Sequence, residues 1–66
     1  MTVGKVIEIS ASSEAGFEDA VKNGIAKASE SVRDIKGAWV KEQQVKVENG
    51  AVTEYRVDLK VTFVLE

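Results

Sequence analysis

The side chains that could do chemistry are few, and what is missing narrows them first. The chain has no His and no Cys. That removes the imidazole base, the catalytic triad, the thiolate nucleophile and the common zinc and iron–sulfur ligand sets. Acid–base work would fall to Asp, Glu, Lys or the single tyrosine, Tyr55. The carboxylates lie on faces expected to be solvated, and none is paired in sequence in a way that raises its pKa. Glu18-Asp19 comes nearest to a dyad, and it reads as a surface charge run on a helix. Gly16 sits in a first helical turn with neither a Walker nor a Rossmann context, so no phosphate-cradling loop is recognised. No nucleophile–base pair can be named, and the chain is read as a non-enzyme.

Trp39, the only tryptophan, is the residue that asks for a role. It lies early on a predicted strand, at the same parity as Gly37, Lys41 and Gln43, while Ala38 and Val40 look inward. Alternation then places it away from the core, on the side of Arg56, Asp58 and Lys60 from the following strand. One reading is a stacking platform for a planar ring, with cations nearby for a phosphate or an anionic ring. The other is an anchor in a subunit contact, a common use of Trp, and spacing alone favours this anchor. Arg56 and Asp58, two apart on one face, suit a surface or interface ion pair, or leave Arg56 free for a ligand. The candidate ligand-contacting set is Gly37, Trp39, Lys41, Gln43, Arg56 and Lys60. Glu8, Glu42, Glu54 and Asp58 could offer oxygens to Ca²⁺, without EF-hand spacing to support it. No catalytic and no metal-ligating residue is assigned.

The elements that must position these residues follow from periodicity. Thr2–Ser10 alternates imperfectly and is rich in Val and Ile, which predicts a strand. Ser12 is the predicted N-cap, with Glu14 in the first turn where the helix dipole favours an anion. From Ser13 to Arg33 the apolar positions Phe17, Ala20, Val21, Gly24, Ile25, Ala28 and Val32 form one helical stripe. Gly24 costs up to about 1 kcal/mol of helix propensity, and close approach to a sheet would explain its presence. Asp34–Gly37 connects to a second strand, Ala38–Glu48. Asn49-Gly50 is a type I′ hairpin signal, because both central positions need positive φ. In the third strand, Val52–Leu65, the odd positions from Thr53 to Leu65 line one face and Glu54, Arg56, Asp58, Lys60 and Thr62 the other. The order is β-α-β-β, an α+β fold with a three-stranded antiparallel sheet wrapped around one helix.

Length and charge bound the rest. Sixty-six residues make a single domain, 1–66. With 44% hydrophobic residues the chain is too apolar to be disordered. A formal net charge of -2 argues against nucleic acid, which calls for a basic face. Apolar runs of two or three residues fall far short of the roughly 20 that a bilayer needs. Lys5 and Glu8 interrupt any signal-peptide core, so a soluble, cytoplasmic protein is expected. A chain this short buries only about 60% of its unfolded surface. Disulfides and the common metal sites are excluded by composition, which points to oligomerisation as the remedy; the alternative is an unusually well-packed monomer, which many domains near this size achieve. A length mismatch points the same way. The third strand would run about 46 Å at roughly 3.3 Å per residue. The helix would cover only about 31 Å at about 1.5 Å per residue.

Three segments, KVIEISASSEAGFEDAV (Lys5 to Val21), NGAV (Asn49 to Val52) and YRVDLKVTFVLE (Tyr55 to Glu66), carry a likeness to a known family. In them the chain resembles the dodecins. The resemblance covers essentially the whole chain, and implies a closed, hollow shell of twelve subunits. It also implies binding and storage of a flavin without turnover, the stacked indole quenching the excited ring. In flavin-binding dodecins a Trp at the start of the second strand stacks on the isoalloxazine, and a Gln on the third strand hydrogen-bonds it. Those positions fall on Gly37 and Arg56, and the arginines that many bacterial members add fall on Gln44 and Val64. Trp39 lies two residues along the same strand, about 7 Å away, placed to stack in a shifted pose or to fill the ring's space. Arg56 can donate but cannot accept, unlike an amide. The resemblance thus implies a homo-dodecamer for riboflavin or FMN, with Trp39 stacking, Arg56 on ring or phosphate, and Lys41 and Lys60 in electrostatic support. The alternative is a flavin-free structural shell, binding divalent cations such as calcium, which Gly37 and Arg56 favour.

Overall fold

The computed structural model describes residues 3–65. Thr2, the predicted start of the first strand, and Glu66, the end of the third carrying segment, lie outside those residues. The elements are β1 (Val3–Ser13), α1 (Phe17–Ala28), β2 (Ile35–Glu48) and β3 (Ala51–Leu65). They form one antiparallel sheet in the order β1-β3-β2. The α+β class and the β-α-β-β order are those the periodicity predicted.

β3 has the cleanest alternation and takes the centre of the sheet. Its Val57, Leu59 and Val61 are buried, together with Ala20 of α1. Ile7, Ile9 and Ala11 from β1 and Phe17, Val21 and Ile25 from α1 surround this small core. Phe17 meets Tyr55 edge to face, with ring centroids 5.2 Å apart, a geometry that aligns the rings' positive edge and negative face. Gly24 marks the closest approach of helix to sheet. A Cβ added there would stand 2.9 Å from the Cβ of Ala11. The helix-propensity cost of glycine is thus offset by contact that no other residue allows.

The helix is shorter than the stripe predicted. β1 runs on to Ser13, so Ser12 pairs with Arg56 in the sheet and does not cap the helix. The N-cap is Gly16, with no side-chain hydrogen bond. The Ser13 hydroxyl instead donates to Asp19 Oδ2 at 2.6 Å and accepts from the Ala15 N–H at 2.9 Å, which stabilises the turn between strand and helix. At the other end Ser29 Oγ donates to the Ile25 carbonyl at 2.8 Å. Hydroxyls bonding back to the preceding turn in this way compete with helix continuation. Asp34 then takes a left-handed conformation, φ 56°, one that Asp tolerates better than most residues. β2 begins directly after it, three residues earlier than predicted.

Asn49 and Gly50 have φ of 52° and 78°, the two positive values that a type I′ turn requires. The hairpin they close is long, and α1 does not shelter it. The helix packs on β1 and β3. Of the residues of β2, only Ile35 is even partly buried. The twelve residues of α1 cover about 18 Å, against a molecule 52 Å in its longest dimension.

Candidate functional site

The face of the sheet turned away from α1 carries most of the candidate residues, arranged by register. Cross-strand partners share a face. Thr62 of β3 stands between Val6 of β1 and Gly37 of β2. On the next rung Lys60 stands between Glu8 and Trp39, then Asp58 between Ser10 and Glu42, then Arg56 between Ser12 and Gln44. Trp39 is 76% exposed. At Gly37 an added Cβ would meet nothing within 4 Å, so the indole borders a clearing rather than a wall.

Two of the expected placements need correction. Simple alternation put Gln43 on the face of Trp39. The β2 register shifts between Val40 and Glu42, a β-bulge in which Lys41 is the extra residue. Every side chain beyond it changes face. Glu42 lies opposite Asp58, and Gln43 lies opposite Val57, on the α1 side. The second correction concerns Arg56. Its guanidinium lies 3.6 Å from Glu54, and among the described residues it has no ion pair with Asp58. Both members of the observed pair are partly exposed, so it contributes little stability.

The bulge also explains what Lys41 does. Its ammonium reaches across β3 to donate to Glu8 Oε1 of β1 at 3.1 Å. The hydrogen bond and charge of Glu8 raise the Lys41 pKa, and Glu42 and Asp58 add smaller contributions in the same direction. Lys41 therefore sits as one cation among three carboxylates. Lys60 is half-buried on the central strand. Among the described residues no carboxylate lies within 4.0 Å of its ammonium.

The four acidic candidates do not converge. Among the described residues no group of three or more His, Cys, Asp and Glu could hold a metal ion. A groove of about 550 Å³ lies on the other side of the sheet, beside α1 and β1. Its lining is largely apolar, with Ile7, Ile9, Ala11, Gly24, Ala28 and Val32 among the residues that form it. The link from Lys41 to Glu8 was not read from the sequence. The polar run Lys41–Gln44 contains neither a Gly nor an alternation that would mark a bulge. The only available signal was that Glu8 has the outward parity of β1.

The dodecin family profile matches residues 3–66. This chain belongs to the dodecin family. It is 38% identical over 63 residues to the calcium dodecin of Mycobacterium tuberculosis, covering 96% of this chain and 89% of that one. A dodecin of Thermus thermophilus, solved as an arginine-to-alanine mutant, superposes with a TM-score of 0.94 at 35% identity, over 100% of this chain and 98% of that one. The crystal structure of the M. tuberculosis calcium dodecin, described as calcium chelating with a novel calcium-binding site, gives a TM-score of 0.83 at 37% identity, over 97% and 91% of the two chains. Dodecins are small-molecule-binding and storage proteins that form homo-oligomers. Among the described residues of this dodecin no helix is long and apolar enough to cross a membrane.

Proposed function

We propose that this dodecin binds and stores a planar small molecule, a flavin such as riboflavin or FMN, in a hollow homo-dodecamer and without catalysing a reaction. The reading includes a soluble, cytoplasmic setting. The observation that carries it is Trp39: a large aromatic side chain 76% exposed on an open sheet face, next to the clearing at Gly37. An indole in that position offers a face on which a ring can stack. Arg56, Lys60 and the clearing at Gly37 contribute to the same surface. Lys41 acts at one remove, through Glu8, and Gln43 lies on the opposite face.

Titration of riboflavin or FMN with the purified protein tests this reading. Stacking on Trp39 quenches the flavin fluorescence, and Trp39→Ala weakens binding about tenfold or more. Unchanged flavin fluorescence up to high micromolar protein overturns it, as does binding that Trp39→Ala leaves intact.

A second reading has its own support in the 38% identity to a calcium dodecin: a flavin-free shell that binds calcium. Among the described residues of one protomer no group of carboxylates converges to fit that ion. Glu8, Glu42 and Asp58 stand on two rungs of three strands, and Lys41 already occupies Glu8. Calcium would need carboxylates from more than one copy. A melting temperature that rises with calcium and not with FMN selects this second reading.

A further inference from the structure

On the outer face the charges have been sorted in a way that favours one cation. Lys60 is the direct cross-strand neighbour of both Glu8 and Trp39. Register alone would pair it with Glu8, since opposed side chains on one face lie about 5 Å apart. The bulge changes the outcome. Lys41 arrives from the far strand and takes the Glu8 carboxylate at 3.1 Å. Lys60, in register with Trp39, has no carboxylate within 4.0 Å of its ammonium among the described residues. Arg56, one rung further from Trp39 than Asp58, is drawn to Glu54 instead. Lys60 is thus the cation in register with Trp39 on this face, and among the described residues it has no ion-pair partner.

We infer that Lys60 gives the Trp39 surface its selectivity for planar ligands carrying an anionic group, and that Lys41 is a positioning residue that keeps Glu8 away from it. The inference rests on the proposal that a flavin-like ring stacks on Trp39. A charge-assisted contact beside an apolar ring is stronger than a neutral one. The global field works against it, because the chain carries a formal net charge of -2. Any preference for an anion therefore has to come from a local group.

Paired titrations with riboflavin, which is uncharged, and FMN, which adds a phosphate to the same ring, separate the possibilities. In the wild-type assembly FMN binds about tenfold tighter at low ionic strength, and the ratio shrinks as salt is added. Lys60→Gln brings the ratio close to one, because it weakens FMN binding more than riboflavin binding. Lys41→Gln, distant from the ring, also lowers the ratio, because Glu8 is released to pair with Lys60. Equal affinity for the two ligands in the wild type overturns the inference and leaves flavin binding standing. So does an FMN preference that survives Lys60→Gln. If neither ligand binds, the stacking proposal itself is wrong and the inference falls with it. Retained melting temperature and oligomer mass in both variants show that the comparison is between folded proteins.

Discussion

Val57, Leu59 and Val61 of β3 lie under α1 and are closed to solvent, at 0%, 1% and 0% exposure. One strand away on the same side of the sheet, Val40 and Val45 stand opposite Leu59 and Tyr55 and remain exposed. The sequence chemistry of the two regions is alike. The difference is the reach of a twelve-residue helix that lies over β1 and β3. The protomer therefore has two kinds of apolar surface, one satisfied within the chain and one that needs a partner. Dodecins are homo-oligomers, and in the proposed assembly that partner is another copy.

This contrast can be broken or sharpened by substitution. Leu59→Ala removes the largest fully buried side chain, and is expected to cost about 2–5 kcal/mol in urea unfolding. A smaller loss means that the core under α1 relaxes freely and is not the stabilising half. Gly24→Ala comes next. It gains helix propensity but drives a methyl to 2.9 Å from Ala11, so a net destabilisation of about 1–3 kcal/mol is expected. The double variant Gly24→Ala/Ala11→Gly should recover most of it. A stabilised Gly24→Ala would show that helix and sheet are not in forced contact.

Val45→Thr probes the uncovered region. A side chain that stays in water tolerates this change within about 0.5 kcal/mol. One covered by another copy pays about 1 kcal/mol or more for the buried hydroxyl, and the melting temperature then depends on protein concentration. The second result is expected. Lys41→Met has the smallest effect, since the ion pair with Glu8 is solvent-exposed. Its pH dependence has a definite sign. The folded-state pKa of Lys41 is raised above the ordinary value of 10.5, so its contribution is complete below that pH. The contribution fades only as pH rises through the raised value. Wild type and Lys41→Met should therefore converge in stability in that alkaline range, and a difference that persists there contradicts the assignment.

Much of the fold is legible in the amino-acid sequence. The alternation of the third strand, the helical stripe and the Asn49-Gly50 turn are local signals, and each element is present, although the stripe predicted as far as Val32 is helical only to Ala28. Gly24 was legible for the same reason, because a costly glycine on an apolar stripe needs a packing cause. The helix ends were not legible. Ser12 and Ser13 are good caps by type, yet the pairing of β1 with β3 claims them for the sheet, a long-range event that outweighs local preference. The outer face was half legible. Trp39, Arg56, Asp58 and Lys60 lie on one face as alternation predicts. The bulge at Lys41 has no marker in the sequence, so the reversal of Gln43 and the cross-sheet link to Glu8 had to be seen.

The most direct test of the account is the mass of the native protein in dilute neutral buffer, by sedimentation velocity or native mass spectrometry. The account predicts one species of twelve times 7.2 kDa, losing its fold and its assembly together as protein concentration falls. A stable, folded species of 7.2 kDa would contradict it. The open side of β2 would then need no second copy to cover it.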